Sequence, residues 1–294
     1  MKLTRNEFVK WFNNGHDKNE IIDIKILDIS FLGLKSLKIL KYFVNLEILY
    51  CVNNNIITLD GIENLVNLKE LYCNSNKLED INFFNFKLNN LIIFDCSFNK
   101  IQTISNLQNL VNLQKINISF NNIITLYDFE FLTNIEIIIC FNNKITTFDG
   151  IEKCYNLKYL NCAHNKIINL DGIDNLTNLI NLNCSNNLIE SIDNLNMLIN
   201  LNCLTCKNNN LKLLNVDLTS LTHIDCSNNK INTILHLSKY KNLIWLNCSL
   251  NNLTNIDDIQ NLHNLEYLDC TRNKLSLEII KHLKNVEVYY NFQN

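Results

Sequence analysis

The chain has no proline, and its 294 residues include only five glycines and two methionines. Without proline it has no helix breaks, rigid turns or stiff polyproline linkers to organise it. Five glycines are too few for phosphate-cradling loops, and no G-x-x-x-x-G-K-S/T or G-x-G-x-x-G is present. H-E-x-x-H and G-x-S-x-G are also missing. Positive charge is scarce: 26 Lys and Arg against 29 Asp and Glu give a net charge of -3 and a pI near 6.1. A surface that tracks phosphates would show a basic stripe, so nucleic acid is excluded as the expected partner. Long apolar runs are missing too. The run around Ile137 to Phe141 is far too short to span a bilayer. The first twenty residues carry charges throughout and no apolar core, so no signal peptide is expected and the protein reads as cytoplasmic or nuclear. Five glycosylation sequons begin at Asn117, Asn175, Asn183, Asn247 and Asn252. Three of them fall on expected strands, where a glycan would obstruct a secreted binder.

Asparagine is what the chain has in excess, at about one residue in five, well above ordinary usage. Asparagine favours turns, caps and positive φ, so this abundance means either disorder or a repeated structural duty. Periodicity selects the second. The phrase L-x-x-L-x-C-x-x-N-x-L occurs eleven times in register, its asparagine falling at Asn54, Asn76, Asn99, Asn121, Asn143, Asn165, Asn187, Asn209, Asn229, Asn251 and Asn273. The step is 22 residues, except for one of 23 and one of 20. A repeat of this length is a supersecondary unit that cannot bury its own apolar face and must stack on its neighbours.

Each phrase reads physically as one coil. Alternation at L-x-C gives a short strand with one face inward. The asparagine turns the chain, and its amide can bond buried backbone groups of adjacent coils, making an asparagine ladder. Later apolar positions, Leu59, Ile62, Leu65 and Leu68 in one coil, close the core from the other side. The phrases resemble the leucine-rich-repeat family over roughly residues 22 to 290. The linking wording of Leu59-Asp60-Gly61-Ile62-Glu63-Asn64-Leu65 and Leu170-Asp171-Gly172-Ile173-Asp174-Asn175-Leu176 is similar to the 22-residue subclass typified by the regulatory subunit of protein phosphatase 1. The Asn, Ile and Lys usage is similar to that of repeat proteins of amoebal giant viruses or AT-rich protists. The resemblance implies a solenoid of the α/β horseshoe class. Short parallel strands would line its concave face, with 3-10 turns, short helices or irregular segments on the convex face. It also implies a phosphatase-regulatory or cytoskeletal adaptor role among the possible ones.

A single domain is expected, with an N-terminal helical cap over 1–21, repeats over 22–275 and a helix-strand cap over 276–294. Thr4-Arg5-Asn6-Glu7 is a capping-box signature. Phe8, Trp11 and Phe12 give that helix an apolar stripe, and Gly15 can end it. A degenerate coil follows at Ile24, Leu27 and Ile29, with Leu32 in the place of the asparagine. Residues 276–285 read as helical, and Val286 to Tyr290 as a closing strand.

Ten of the twelve cysteines fill one inward strand site, which Ile29 and Ile118 take in other coils. Interchange with Ile marks the site as apolar, suited to a reduced thiol. Strands about 4.8 Å apart with parallel side chains do not suit disulfides, which want Cβ atoms about 3.8 Å apart. Cys154 and Cys203 stand outside this series. Cys203 and Cys206 spell C-x-x-C, but the two thiols should point to opposite faces of the sheet.

The outward strand residues form the candidate binding surface. One apolar cluster contains Ile48, Tyr50, Tyr72, Ile93, Phe98, Phe120, Ile137, Ile139 and Phe141, with Asp95 on the same outward face. The other contains His223, Asp225, Trp245, Tyr267 and Asp269, with Tyr159 between the two. Outward apolar and aromatic groups on this scale mark interaction surfaces. The reading is therefore a non-enzymatic scaffold that binds a partner protein, with no cofactor, metal, small-molecule substrate or membrane. A self-associating homodimer is the alternative. A thiol enzyme built on Cys203, His223 and Asp225 is the remote one. The sheet is open to water and nothing suggests an oxyanion hole, which disfavours that chemistry.

Overall fold

A computed structural model describes residues 1–15, 21–235, 237–276 and 286–290. The chain divides into two compact units, Met1–Lys144 and Ile145–Asn294. The expected helix over 276–285 lies almost wholly outside the described residues.

In the first unit the strands are β1 (Lys2–Leu3), β2 (Ile26–Asp28), β3 (Ile48–Tyr50), β4 (Glu70–Tyr72), β5 (Asp80–Asn82), β6 (Ile93–Asp95), β7 (Thr103–Ser105), β8 (Lys115–Asn117) and β9 (Ile137–Ile139). β1, β2, β3, β4, β6, β8 and β9 pair in that order, all parallel. β5 and β7 pair with each other, away from the main sheet. The helix α1 (Arg5–Asn13) begins where the capping box places it. The Glu7 carboxylate accepts the Thr4 backbone N–H at 2.8 Å and the Thr4 hydroxyl at 2.7 Å. Phe8 and Trp11 are buried against Phe43, whereas Phe12 turns outward. The apolar stripe of α1 is thus narrower than expected: a nine-residue helix lying on one coil end buries a single line of side chains. β1 was not legible in the sequence, because two residues are too few for any periodicity.

The second unit holds β10 (Tyr159–Asn161), β11 (Asn181–Asn183), β12 (Cys203–Thr205), β13 (Leu213–Leu214), β14 (His223–Asp225), β15 (Thr233–Ile234), β16 (Trp245–Asn247), β17 (Tyr267–Asp269) and β18 (Glu287–Tyr289). β10, β11, β12, β14, β16, β17 and β18 pair parallel in order. β13 and β15 make the small second pair. β18 is the closing strand read from Val286 to Tyr290.

The sequence phrase dictates where each three-residue strand stops. In β6, Asp95 Oδ1 accepts the Ser97 backbone N–H at 3.0 Å and the Ser97 hydroxyl at 2.7 Å, a side-chain turn that peels the chain off the sheet. Phe98 then takes a left-handed conformation, φ 54°, and Asn99 follows. The same sequence of events ends β8 at Asn117 and Ser119, β14 at Asp225 and Ser227, and β16 at Asn247 and Ser249.

The asparagine of the phrase bridges two coils and is buried in nine of the eleven, Asn99 and Asn165 being half-buried. Asn121 Nδ2 donates to Cys96 O at 3.1 Å and Ile118 O at 3.0 Å, while its Oδ1 accepts the Ile101 N–H at 2.9 Å. Asn187, Asn229 and Asn251 repeat this pattern in the second unit. Each amide satisfies backbone groups that stacking would otherwise strand away from water.

A second column of asparagines stands just before the first Leu of the phrase. Asn45, Asn67, Asn90, Asn112 and Asn134 each donate to a carbonyl of the preceding coil, at 2.8–3.2 Å. Asn178, Asn200, Asn242 and Asn264 do the same in the second unit. At the 20-residue step Ser220 stands in that place, and its hydroxyl reaches Leu201 O at 2.7 Å.

Inside, Leu27, Leu49, Leu71, Phe94, Ile116 and Ile138 are fully buried, as are the later positions Ile62, Leu65 and Leu68. Each such side chain contributes roughly 1.5–3 kcal/mol of apolar burial. Cys154 belongs to this rear layer. It sits where Leu176 sits one coil later, and both N–H groups bond the residue three before, Ile151 and Ile173. Tyr240 takes the equivalent place beside the short coil, where the missing residues leave room for a ring, and its hydroxyl donates to Val216 O at 2.5 Å. Gly61 (φ +112°) is required by close approach, since a Cβ there would meet Leu37 O at 2.3 Å.

Candidate functional site

All ten cysteines of the strand series are buried, and none of the twelve cysteines is in a disulfide. Burial pushes Cys140 and Cys184 up to about 12, so these thiols behave as apolar groups and not as nucleophiles.

The outward strand positions carry the candidate surface, and apart from the exposed His223 the candidate residues on strands are half-buried rather than open. In the first unit Ile48, Tyr50, Tyr72, Ile93, Asp95, Ile137 and Ile139 are each partly covered by their neighbours on adjacent strands. Tyr50 and Tyr72 stack with ring centres 4.8 Å apart and planes 6° from parallel. The Tyr72 hydroxyl donates to Glu70 at 2.8 Å, and its pKa is raised, first by burial and then by that carboxylate. Phe98 and Phe120 stack at 4.1 Å, and Phe141 meets Phe120 edge-on at 4.9 Å. These three rings touch but do not share one column. Phe98 and Phe120 sit at the left-handed turn position, φ 54° and 53°, whereas Phe141 stands one residue earlier in its coil.

That left-handed position recurs in every regular coil. It holds Asn53, Ser75, Phe98, Phe120 and Asn142 in the first unit. In the second it holds His164, Asn186, Asn208, Asn228, Leu250 and Arg272. Where asparagine fills it in three successive coils, a further amide chain forms: Asn208 Nδ2 donates to Asn186 Oδ1 at 2.7 Å, and Asn228 Nδ2 donates to Asn208 Oδ1. Sequence reasoning treated these residues as ordinary outward side chains. The available signal was the frequency of asparagine directly before the buried one.

In the second unit Trp245 and Tyr267 stack at 5.1 Å, 7° from parallel, and Tyr289 lies 5.5 Å beyond. Tyr159 is half-buried on β10, at the other side of this unit's sheet. The Tyr267 hydroxyl is held above its ordinary pKa, first by burial and then by Asp269, Glu287 and Asp225. Asp225 and Asp269 each commit one oxygen to the turn that ends their strand, bonding the N–H of Ser227 at 3.1 Å and of Thr271 at 3.0 Å. Beside the entry to β16 and β17 lies an open groove of about 490 Å³, lined by Thr222, Ile244, His263 and Glu266 among others.

Cys203 and His223 are register partners on adjacent strands, as the sequence implied. The hydrogen bonds of the proposed set run elsewhere. His223 Nδ1 pairs with the Thr222 hydroxyl at 2.8 Å, Cys203 Sγ with Asn202 Oδ1 at 3.4 Å, and Asp225 with Ser227. Burial raises the Cys203 thiol above its ordinary value, the wrong direction for a nucleophile. Cys206 is buried on the opposite face, so the C-x-x-C pair does not converge. Among the described residues no group of three His, Cys, Asp or Glu side chains is arranged to hold a metal ion. No helix among them is long and apolar enough to cross a membrane.

The family described as leucine-rich repeats in two copies matches residues 44–85 and 133–175. A leucine-rich-repeat protein of Leptospira interrogans superposes with a TM-score of 0.80 at 23% identity, covering 100% of this chain and 83% of its own. The functional domain of InlJ from Listeria monocytogenes, which includes a cysteine ladder, gives 0.73 at 29% identity, covering 84% of this chain and 54% of its own. The FLRT2 repeats in an octameric complex with latrophilin 3 and Unc5D give 0.71 at 20% identity, covering 88% and 87%. No curated protein sequence matches the chain. By its repeats and its fold, the chain is similar to leucine-rich-repeat proteins and has the leucine-rich-repeat solenoid fold expected from the phrase.

Proposed function

We propose that the protein is a non-enzymatic scaffold that binds a partner protein on the outward face of its strands. The observation that carries this reading is the pair Phe98 and Phe120. A bulky side chain at positive φ is an outlier that costs about 1–2 kcal/mol relative to residues that tolerate the region. Asparagine fills the same place in five other coils without that cost. Two adjacent phenylalanines, one of them 52% exposed, are therefore held there against the preference of the backbone. Strain kept at a surface in this way points to use by a ligand. The neighbouring Ile93, Ile137, Ile139 and Phe141 extend it into an apolar patch of the kind that proteins cover. FLRT2, with the same fold, is found in a complex with other proteins. An intracellular location fits twelve thiols held without disulfides, and an adaptor role of the phosphatase-regulatory type belongs to the same reading.

Affinity capture with the full chain tests this, comparing wild type with Phe98→Asn/Phe120→Asn and reading bound proteins by quantitative mass spectrometry. A specific partner should be depleted at least about tenfold by the variant, equivalent to about 1.4 kcal/mol. Equal recovery on both baits refutes the use of this face.

A further inference from the structure

We propose that the outward face of β14, β16, β17 and β18 takes an extended protein segment bearing arginine or lysine side chains about three residues apart. This rests on the reading that the strand face binds protein, and adds the chemistry of what binds in the second unit.

The eight outward residues of these strands are His223, Asp225, Trp245, Asn247, Tyr267, Asp269, Glu287 and Tyr289. Three are carboxylates and three are aromatic, and none is Lys or Arg. Arg272, three residues after Asp269, belongs to the turn beyond β17. Aromatic faces beside carboxylates are what a guanidinium or ammonium group seeks: π contact for its stem or plane, and charge-assisted acceptors for its N–H groups. The carboxylates of Asp225 and Asp269 are already oriented, because Ser227 and Thr271 hold one oxygen of each. An incoming donor therefore meets acceptors that lose little freedom on binding. The strand register groups the three carboxylates: Asp225 and Asp269 lie on one line through Asn247, and Glu287 is the partner of Tyr267, whose hydroxyl all three hold up. Asp225 and Asp269 stand two strand spacings apart, about 10 Å, which matches a three-residue step in a polyproline-like segment, whose residues three apart share one side.

The test uses the full chain and fluorescein-labelled decapeptides of serine with arginine at every third position, against the same peptide with neutral citrulline. Anisotropy should give a Kd for the arginine peptide at least about tenfold below that for citrulline. Asp225→Asn/Asp269→Asn should remove that difference. It should do so without unfolding, since Asn117, Asn183 and Asn247 already form the same turns. The loop pair Asp171→Asn/Glu190→Gln removes equal charge elsewhere and should leave the Kd unchanged. Equal affinity for both peptides overturns the proposal, as does equal weakening by the loop pair. Neither result bears on Phe98 and Phe120, which lie in the other unit and are read by a separate capture.

Discussion

Replacing Phe98 and Phe120 together by asparagine separates what the fold needs from what the surface does. The stacked pair at 4.1 Å contributes about 0.5–1.5 kcal/mol beyond its burial. Partial burial of each ring adds about 1–2 kcal/mol. Against this, leaving a left-handed conformation that suits neither ring recovers about 1–2 kcal/mol per site. Two adjacent asparagines can also form the amide bond seen between Asn208 and Asn186. Losses of about 3–5 kcal/mol therefore meet gains of similar size, and the double variant should stay within about 2 kcal/mol of wild type. Phe94→Asn, four residues from Phe98 and fully buried, has no such relief and should cost more than about 4 kcal/mol. Urea unfolding of the full chain, read by far-UV circular dichroism, gives both midpoints. If the double variant falls as far as Phe94→Asn, the rings are structural and the argument from strain fails.

The two bridging asparagine columns, the buried one and the one before the first Leu, should separate by burial. Asn121→Ala strands the Ile101 N–H and two carbonyls and should cost about 3–5 kcal/mol, whereas exposed Asn112→Ala should cost about 1 kcal/mol or less, by the same unfolding assay. Comparable losses would contradict the assignment of backbone groups. Of the twelve thiols, Cys203 alone is partly open, and it should be the one labelled by a maleimide on the native chain, more slowly than a free peptide thiol because its pKa is raised. Labelling of three or more thiols before denaturation would show the cysteine series to be wet. Glu47 sits between Lys25 at 2.8 Å and Lys69 at 2.7 Å, and hydrogen bonds from both hold its carboxyl down at about 2. A lowered folded pKa stabilises above the unfolded value near 4.3 and is lost as pH falls toward 2. Glu47→Gln should therefore flatten stability over that window, and an unchanged acid limb would show the lysines to be idle.

The legible parts of this molecule are those that the 22-residue period repeats. Leu71, Cys73 and Asn76 recur at the same offsets in coil after coil, so strand, core and buried amide follow from one phrase. The second asparagine column recurs as faithfully, from Asn45 to Asn264. It was overlooked because its residues stand outside the phrase and look like ordinary loop asparagines. The left-handed column was hidden for a different reason. A backbone angle leaves a sequence trace only where the residue chosen suits it, and Phe98, Phe120 and Leu250 do not. Cys154 and Tyr240 were obscured by identity, since each stands in a leucine site and betrays it only by position.

These columns also show where in each coil the chain is free to vary for reasons other than folding. The inward strand site, the buried asparagine and the asparagine before the first Leu all have backbone or core duties, and the residue types there hardly change. The last strand position is half-committed, because Asp95, Asn117, Asp225 or Asn247 must end the strand with one oxygen. Two outward columns remain: the first strand position and the left-handed turn. The first runs from Ile48 and Ile93 to Trp245 and Tyr267, with no turn bond to satisfy. At the second, Phe31, Phe98, Phe120 and Leu250 replace the asparagine that the backbone prefers, and all but Phe120 are exposed. A column whose only duty was to turn the chain would have no reason to carry those four side chains, so it is at these positions, and beside them on the strands, that a partner is to be sought.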